Sequence, residues 1–290
     1  SVADPILRQK LAAGEFFYAP GVFDMMSTLM ANEVGFDAVY ASGYWLTASY
    51  LGLPDAGLVT LTQMLDRVAR VAEISHAPVI ADADTGFGGL LNVQHTVRQY
   101  ESAGVTAIQI EDQEFPKKCG HTSYRRVVAT EEMVAKIKVA VDARHSEDFL
   151  VVARTDARTG HGLEAAIARG QAFAEAGADI IFVEALETED EMRQACAEID
   201  APLVANMATG GRTPIVSNVA LQSLGFAAAI YPTLAALSAV QAIHQAFVEM
   251  KETGNGNISK TQTFDFMRFC RLLGFEDVWA FEEKWKDVLE

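Results

Sequence analysis

The sequence Ala103-Gly104-Val105-Thr106-Ala107-Ile108-Gln109-Ile110-Glu111-Asp112 contains the unit that decides the fold. Its glycine follows a helical pattern and precedes a short apolar run, which is typical of a helix that ends and passes into a buried strand. The same turn recurs at Ala176-Gly177-Ala178, again directly before an apolar run that ends in an acidic residue. The repetition predicts alternating helices and strands, the arrangement found in parallel α/β proteins.

Eight short apolar runs recur along the chain, and longer amphipathic segments separate them. Because the runs lack polar alternation, they indicate parallel strands that are buried on both faces. The predicted strands are 16–19, 38–41, 78–83, 107–112, 149–155, 179–184, 202–206 and 227–231. Eight strand–helix units in about 250 residues match a (β/α)₈ barrel, and a doubly wound open sheet is the alternative. No linker interrupts the pattern, so we predict one domain over 1–290.

The chain continues beyond the eighth strand into a segment with a high aromatic content. A helix is predicted over 234–253, where Gly254-Asn255-Gly256 ends it, and 254–290 forms a C-terminal helical extension. The aromatic residues of the extension are Phe264, Phe266, Phe269, Phe275, Trp279, Phe281 and Trp285. Because exposed apolar surface favours association, we expect the extension to pack on another subunit or to cap the barrel. An ordinary amphipathic closing helix is the alternative.

The chain is strongly acidic, with 23 Lys and Arg against 39 Asp and Glu, and its formal net charge is −16. This balance argues against nucleic acid and anionic membranes as partners, since both require a basic surface. An anionic substrate therefore needs a local group of cations or a metal ion. The sequence shows no apolar run of about 18 residues and no signal-peptide pattern, and its three cysteines do not suit a disulfide framework. We therefore expect a soluble, cytoplasmic protein.

Polar side chains follow most of the predicted strands. In a (β/α)₈ barrel the carboxyl ends of the strands meet at one mouth, where active sites lie. The residues concerned are Tyr40 and Ser42, Asp82 and Asp84, Glu111 and Asp112, Arg154 and Asp156, Glu184, and Asn206. Several carboxylates at one mouth repel one another unless a cation lies among them, and oxygen ligands without a histidine pair indicate Mg²⁺ or Mn²⁺.

Asp82 and Asp84 are the first candidates for metal ligands. Two residues at positions i and i+2 of a strand face the same side, so both carboxylates can reach one ion. Some carboxylates could instead cap the helices that follow the strands. We keep that alternative for Asp112 and Asp156.

The segment Lys117-Lys118-Cys119-Gly120-His121 lies just beyond the fourth predicted strand. Lysines and a histidine around a thiol create positive potential, which lowers the thiol pKa and favours the thiolate. We therefore expect Cys119 to exchange a proton with a bound substrate. A loop cysteine beside solvated lysines is the alternative.

Two groups in the predicted mouth suit a dicarboxylate substrate. Arg154 has a planar fork that matches a carboxylate bidentately. Ser42 and the amides of Gly43 and Tyr44 begin a helix, where a second carboxylate can bind. The glycine-rich segment 84–89 lacks the Lys-Ser/Thr of a phosphate-binding loop, so nucleotide binding is not expected.

The motifs resemble a known family when they are taken in chain order. They are Ser42-Gly43-Tyr44, Gly52-Leu53-Pro54-Asp55, Asp82-Ala83-Asp84-Thr85-Gly86-Phe87-Gly88, Ile110-Glu111-Asp112-Gln113, Lys117-Lys118-Cys119-Gly120-His121, Ala153-Arg154-Thr155-Asp156-Ala157 and Tyr231-Pro232. Over nearly the whole chain they resemble the isocitrate lyase/phosphoenolpyruvate mutase superfamily. The resemblance implies a barrel whose eighth helix is swapped between subunits, usually in a homotetramer. It also implies Mg²⁺ held by Asp82 and Asp84, with Glu111 in its shell and Asp55 nearby.

The cysteine motif resembles the lyase branch, because mutase and phosphonopyruvate hydrolase members carry Asn in a different gating-loop motif. Ser42-Gly43-Tyr44 and the segment 52–55 look closer to members that cleave 2-alkylmalates such as 2,3-dimethylmalate than to methylisocitrate lyases. Ala208 and Thr209 stand where methylisocitrate lyases carry Thr and Glu. Pro232 stands where oxaloacetate acetylhydrolases usually carry Ser.

The resemblance implies a Mg²⁺-dependent carbon–carbon lyase that acts on a 2-hydroxy dicarboxylate. Cys119, on a loop that closes over substrate, would protonate the product enolate. The other implied site residues are Tyr40 as a proton shuttle, Lys117 and Gly120 beside the thiol, Pro232 at the substrate, and Arg154, His121, Glu184 and Asn206 at the departing carboxylate. Methylisocitrate or isocitrate lyase, oxaloacetate decarboxylase or hydrolase, and a catalytically silent metabolite-binding barrel are the alternatives.

Overall fold

Eight parallel strands form the central sheet of this protein, for which a computed structural model describes residues 3–120 and 125–288. The strands are β1 Phe17–Val22, β2 Val39–Ala41, β3 Val79–Asp82, β4 Ala107–Glu111, β5 Leu150–Thr155, β6 Ile180–Val183, β7 Val204–Asn206 and β8 Ala228–Tyr231. They pair in the order β6-β5-β4-β3-β2-β1-β8-β7, and every pairing is parallel. A further parallel bridge joins Ile181 to Leu203, so the sheet nearly closes on itself.

The predicted (β/α)₈ barrel is therefore confirmed, and the open doubly wound sheet is wrong. All eight predicted strands are present, with ends that differ by a few residues. The helices of the described chain are α1 Ile6–Ala13, which precedes β1, and then α2 Met25–Val34, α3 Gly43–Leu51, α4 Leu61–Ile74, α5 Leu90–Ser102, α6 Thr130–Ala143, α7 Ala157–His161, α8 Leu163–Glu175, α9 Glu189–Glu198, α10 Asn218–Leu224, α11 Leu234–Thr253, α12 Phe266–Leu272 and α13 Phe275–Trp285. A short 3₁₀ helix covers Lys286–Val288.

The glycines of the repeated turn take the backbone conformation that the sequence requires of them. Gly104 has φ 92° and Gly177 has φ 106°, values that side chains with a Cβ rarely adopt. Each follows a helix end, and the chain then enters β4 or β6. The spacing of these turns in the sequence therefore reports the spacing of the strands.

The barrel has two apolar layers. Its interior contains one side of each strand, with the aromatic rings of Phe17 and Phe182 among the fully buried residues. Leu7 of α1 is also fully buried in this inner cluster, so α1 closes the end of the barrel at which the strands begin. A larger outer cluster packs the other side of the strands against the helices. Buried carboxylates and Arg154 gather at the opposite end, where the strands finish.

Residue contacts divide the chain into two compact units, and the boundary in the sequence lies between Ala236 and Leu237. The first unit contains the eight strands. The second contains most of α11 together with α12 and α13, and within it Cys270 is buried. No helix in the described parts of the chain combines the length and hydropathy that crossing a bilayer requires. The predicted helix over 234–253 is confirmed, while the single-domain organisation stays a prediction.

Candidate active site

The chain makes a sharp turn where β3 ends at Asp82. Ala83 N–H donates to Gln109 O, but Glu111 N–H donates to Asp84 O, so the turn carries one residue more than β4 beside it. Asp84 has φ 49°, a left-handed conformation. The strand geometry assumed from the sequence is therefore wrong at Asp84, which lies beyond the strand. Both aspartates are nonetheless buried, and Asp84 N–H donates to Asp82 Oδ1 at 2.9 Å.

Lys117 lies among three carboxylates. Its Nζ is 2.8 Å from Asp55 Oδ1, 3.1 Å from Asp84 Oδ1 and 3.6 Å from Glu111 Oε1. The side chain is only 2% exposed, so the alternative of a solvated lysine is wrong at this position. Burial alone lowers the pKa of the Lys117 ammonium, but the surrounding carboxylates outweigh it and raise the pKa well above its ordinary value.

The carboxylates of this cluster are held out of water. Burial, with Asp82 and Asp55 adding to it against Lys117, raises the pKa of Asp84 to about 7. Burial also raises the pKa of Glu111 well above its ordinary range. In the described part of the chain no group donates a hydrogen bond to either carboxylate oxygen of Glu111, although Lys117 and Arg154 lie at ion-pair distance.

These oxygens suit a hard divalent cation. Asp82, Asp84 and Glu111 provide oxygen donors only, and carboxylate oxygens are the ligands that Mg²⁺ and Mn²⁺ prefer. Among residues 3–120 and 125–288, no three His, Cys, Asp or Glu side chains already converge closely enough to hold an ion. The chemistry of the donor set fits the expected metal, and small rotations of these side chains would have to bring them together.

Tyr40 and Gln109 form a polar pair inside the barrel. Tyr40 is buried, and its hydroxyl donates to Gln109 Oε1 at 3.1 Å. Burial and the nearby Asp82 raise the pKa of Tyr40 well above its ordinary value. Gln109 was not among the predicted site residues. Its signal in the sequence is an amide in the middle of an apolar strand, where a buried polar group needs a partner.

The N-terminal end of α3 contacts the metal-ligand candidates directly. Gly43 N–H donates to Asp82 Oδ2 at 3.3 Å, and a Cβ at Gly43 would lie 2.6 Å from that oxygen. The Gly43 amide, which was predicted to bind a substrate carboxylate, is thus already bonded to Asp82. Ser42 is buried at the N-cap position. Burial raises the pKa of Tyr44, and the charges of Cys119 and Asp55 add to this shift.

Arg154 is the centre of a second charged cluster. Asp156 binds it through two hydrogen bonds, from Nε at 3.1 Å and from Nη2 at 2.9 Å. Nη2 also lies 3.3 Å from Glu184 Oε2, and Nε lies 3.2 Å from Glu111 Oε2. Asn206 donates to both carboxylate oxygens of Glu184, at 3.3 and 3.2 Å. The structure therefore brings three of the four residues predicted at the departing carboxylate into one chain of contacts, namely Arg154, Glu184 and Asn206.

The helix-capping alternative for Asp156 and Asp112 is wrong. Asp156 occupies the N-cap position of α7 but makes no capping bond there, and instead pairs with Arg154 and with Arg125 at 2.6 Å. Burial raises the pKa of Asp156, but the two arginines outweigh it and lower the pKa below its ordinary value. Asp112 accepts from Asp156 N–H and from the hydroxyl of Thr155. Both aspartates therefore support the arginine cluster.

The segment 117–120, which we call the cysteine loop, crosses the mouth. It runs between the acidic cluster around Lys117 and the arginine cluster around Arg154. Gln113 anchors it, since its side chain donates to Lys118 O at 2.8 Å and accepts from Lys118 N–H at 2.9 Å. Cys119 is half-buried between Lys117 and Gly120. A Cβ at Gly120 would overlap Arg154 Nη2 and lie 2.6 Å from Glu184 Oε2. The backbone of the cysteine loop thus lies directly on the arginine cluster.

Two further residues were predicted at the site. His121 lies outside the described residues. Pro232 follows β8, and its backbone packs against Gly21 of β1, where a Cβ would lie 2.6 Å from Pro232 O. Nearby, Thr209 N–H donates to the hydroxyl of Thr233 at 2.9 Å, which ties the segment after β7 to the segment after β8.

The barrel carries buried carboxylates and an ion-paired arginine at the mouth where its strands end. This is where (β/α)₈-barrel enzymes have their active sites. The phosphoenolpyruvate phosphomutase family model matches residues 7–251. The 2,3-dimethylmalate lyase of Eubacterium barkeri is 47% identical over 274 residues, which cover 94% of each chain. The 2-methylisocitrate lyase of Aeropyrum pernix is 40% identical over 94% of this chain and 87% of its own. The chain belongs to the phosphoenolpyruvate mutase/isocitrate lyase superfamily.

Solved structures agree with this assignment. A crystal structure of 2,3-dimethylmalate lyase superposes with a TM-score of 0.91 at 36% identity, and covers 98% of this chain and 96% of that chain. A structure of phosphonopyruvate hydrolase in complex with oxalate and Mg²⁺ superposes with a TM-score of 0.88 at 31% identity, over 98% and 99% of the two chains. The resemblance inferred from the motifs is confirmed.

Proposed function

We propose that this protein is a Mg²⁺-dependent lyase that cleaves a 2-alkylmalate, such as 2,3-dimethylmalate, to a 2-oxo acid and a carboxylate. That it is a carbon–carbon lyase follows from its relatives, which are named lyases of the same superfamily. The observation that carries the substrate class is the position of the cysteine loop. Gly120 lies on Arg154 and Glu184, so the neighbouring Cys119 is held beside a group that suits a carboxylate.

The metal belongs to the same proposal. Asp82, Asp84 and Glu111 would hold it, because their carboxylates are buried and the two oxygens of Glu111 lack hydrogen-bond donors in the described chain. When bound, Mg²⁺ would lower the pKa of the substrate 2-hydroxyl and fix its position beside the adjacent carboxylate. The structure of phosphonopyruvate hydrolase with oxalate and Mg²⁺ supports this choice of ion by similarity.

The residues of the chain divide the chemistry between them. Arg154, which Asp156 holds bidentately, would bind the carboxylate that departs, and Asn206 and Glu184 would line the same position. Lys117 would keep the acidic cluster charged and compact. Because the pKa of Tyr40 is raised, its hydroxyl stays protonated near neutral pH and would act as a hydrogen-bond donor until substrate and metal change its surroundings.

The bond change balances without any other reactant. A carboxylate of the acidic cluster around Lys117 would take the proton of the 2-hydroxyl through Tyr40 as shuttle. The hydroxyl oxygen then forms the carbonyl of the 2-oxo acid, and the C2–C3 bond breaks. The electron pair of that bond remains on C3 as the enolate of the second product. Cys119 would then give its Sγ proton to C3, and the proton taken from the hydroxyl returns the thiolate to the thiol.

A second candidate is cleavage of methylisocitrate, which the 40% identity to a named 2-methylisocitrate lyase favours. Against it stands Ala208 after β7, where methylisocitrate lyases carry Thr. Pro232 at the end of β8 argues in the same way against oxaloacetate hydrolysis.

A panel of substrates tests these choices. The full-length protein with Mg²⁺ is offered 2,3-dimethylmalate, methylisocitrate, isocitrate and oxaloacetate, and 2-oxo acid, carbon dioxide, oxalate and acetate are measured. We expect the highest kcat/KM with the alkylmalate, and loss of turnover in EDTA that Mg²⁺ restores. A preference for methylisocitrate or oxaloacetate would overturn the proposed substrate, and full turnover without metal would overturn the metal assignment.

The proposal includes a homotetramer in the cytoplasm. Tyr18 points outward from β1 and is 40% exposed, although helices cover the outer face of the strands in a complete (β/α)₈ barrel. In the second unit Phe247 and Phe281 are 68% and 64% exposed in the single chain. Apolar surfaces of this kind support association between copies. All three cysteines are thiols, as expected in a reducing compartment.

A further inference from the structure

The turn that carries Asp82 and Asp84 is held from outside the barrel. Side chains from α5 and α6 donate hydrogen bonds to three of its carbonyl oxygens. The bonds are Tyr100 Oη to Asp82 O at 2.9 Å, Lys136 Nζ to Thr85 O at 3.0 Å, and Thr96 Oγ1 to Gly86 O at 3.0 Å. We call these three side chains the outer clamp. None of them belongs to the proposed catalytic or substrate-binding residues.

The outer clamp lies in the packed layer behind the mouth. Tyr100 and Thr96 are 0% exposed, and Lys136 is 7% exposed. Tyr100 packs in the apolar cluster between strands and helices, whereas Tyr40 lies in the cluster inside the barrel. The clamp therefore reaches the backbone of the turn from the side opposite to any substrate.

The turn needs such support because its backbone is unusual. Asp84 has φ 49° and Phe87 has φ 62°, and neither residue is a glycine. A left-handed conformation at such residues persists only where the surroundings hold it. Asp84 O also replaces Ala83 O as the acceptor for Glu111 N–H, so a relaxed turn would move the Asp84 carboxylate relative to Glu111.

Lys136 shows that fold stability alone does not explain the clamp. Its ammonium is removed from water and donates to one neutral carbonyl. Burial lowers the pKa of Lys136, and Glu132, one turn earlier on α6, acts against this shift. A methionine has a similar length and would pack in an apolar layer without the cost of burying a charge. The lysine is therefore better explained by the bond that it makes to Thr85 O.

We propose that Tyr100, Thr96 and Lys136 are positioning residues, which fix the 82–86 turn so that Asp82 and Asp84 can bind a divalent cation. The inference rests on the proposed metal dependence and adds to it a second layer of residues that acts through the backbone. Groups that orient metal ligands contribute to metal affinity even though they never touch the ion.

Mn²⁺ binding by the metal-free, full-length protein without substrate tests the proposal. The bound fraction is measured by electron paramagnetic resonance, and the line shape reports the symmetry of the ligands. In Tyr100→Phe and in Thr96→Val we expect the Mn²⁺ Kd to rise about tenfold or more. In Lys136→Met we expect a weaker Mn²⁺ complex together with an unchanged or higher midpoint of thermal unfolding. Loss of a positive charge alone would tighten cation binding, so weaker binding in this variant reports the lost hydrogen bond.

Thr28→Val is the matched control. Thr28 is 0% exposed and donates from Oγ1 to Asp24 O at 2.8 Å, away from the turn. We expect this variant to bind Mn²⁺ as the wild type does. Kd values of the clamp variants within twofold of wild type, or an equal loss in Thr28→Val, would overturn the inference. If one clamp variant does not fold, the other two decide. A wild type that binds no Mn²⁺ would overturn the proposed metal dependence itself, and this inference with it.

Discussion

The backbone of Gly120 lies directly against the carboxylate of Glu184, where a Cβ would come within 2.6 Å of Oε2 and would also overlap Arg154 Nη2. The cysteine loop can therefore reach the arginine cluster only because this residue has no side chain. This contact holds Cys119, the proposed acid, beside Arg154, the proposed carboxylate site. A single added methyl group at Gly120 should therefore disturb closure of the loop.

Replacement of Gly120 by Ala should hold the loop away from Arg154. A displacement of about 1 Å in a reacting group can cost about 10²-fold in rate, so we expect kcat/KM for the alkylmalate to fall by about that factor. Gly160→Ala is the control, because a Cβ there meets nothing within 4 Å. Steady-state kinetics of the two variants decide the matter, and equal activity would show that the loop does not close on the cluster.

Replacement of Cys119 by Ser should separate binding from turnover. A serine hydroxyl has a far higher pKa than a thiol, so it donates a proton poorly, and loss of a positioned acid costs about 10²–10⁴-fold in kcat. The Kd of a substrate analogue should stay near that of wild type. Cys196→Ser serves as control, since burial raises the pKa of the Cys196 thiol to about 12 and keeps it inert. A Cys119→Ser enzyme within a few-fold of wild-type kcat would remove the central residue of the proposal.

The contribution of Asp84 to the stability of the metal-free protein should fall as the pH rises from about 4 to about 7. Burial raises the pKa of Asp84 from its ordinary value of 3.8 to about 7, so over this range the folded state binds more protons than the unfolded state. Ionisation of the buried carboxylate then disfavours folding. Asp84→Asn should flatten this part of the profile of unfolding midpoint against pH. An unchanged profile in the variant would assign the effect to other groups.

The oligomeric state should depend on the exposed aromatic residues of the second unit. We expect light scattering after gel filtration to report a mass of four chains for the wild type. Phe247→Glu combined with Phe281→Glu places charges on side chains that are 68% and 64% exposed in the single chain, and should give smaller species. Arg193→Glu is the control, because its side chain is 59% exposed and polar. A monomeric wild type would contradict the expected assembly.

Much of the fold was readable from the sequence because its determinants are local. A parallel strand buried on both faces is a continuous apolar run, and a helix that ends at a left-handed residue favours glycine, as at Gly104 and Gly177. The carboxyl ends of such strands meet in any (β/α)₈ barrel, so the convergence of Asp82 and Glu111 also followed from the order of the elements.

The partners of each polar side chain were decided only by the tertiary structure, because they come from distant parts of the chain. Lys117 is buried against Asp55, which lies 62 residues earlier, and nothing in the local sequence separates this lysine from the less buried Lys118. Asp156 could cap a helix by its position in the sequence, but its carboxylate pairs with Arg154 and Arg125 and makes no capping bond to α7. A charged group removed from water binds the nearest opposite charge, and the closed barrel determines which charge is nearest.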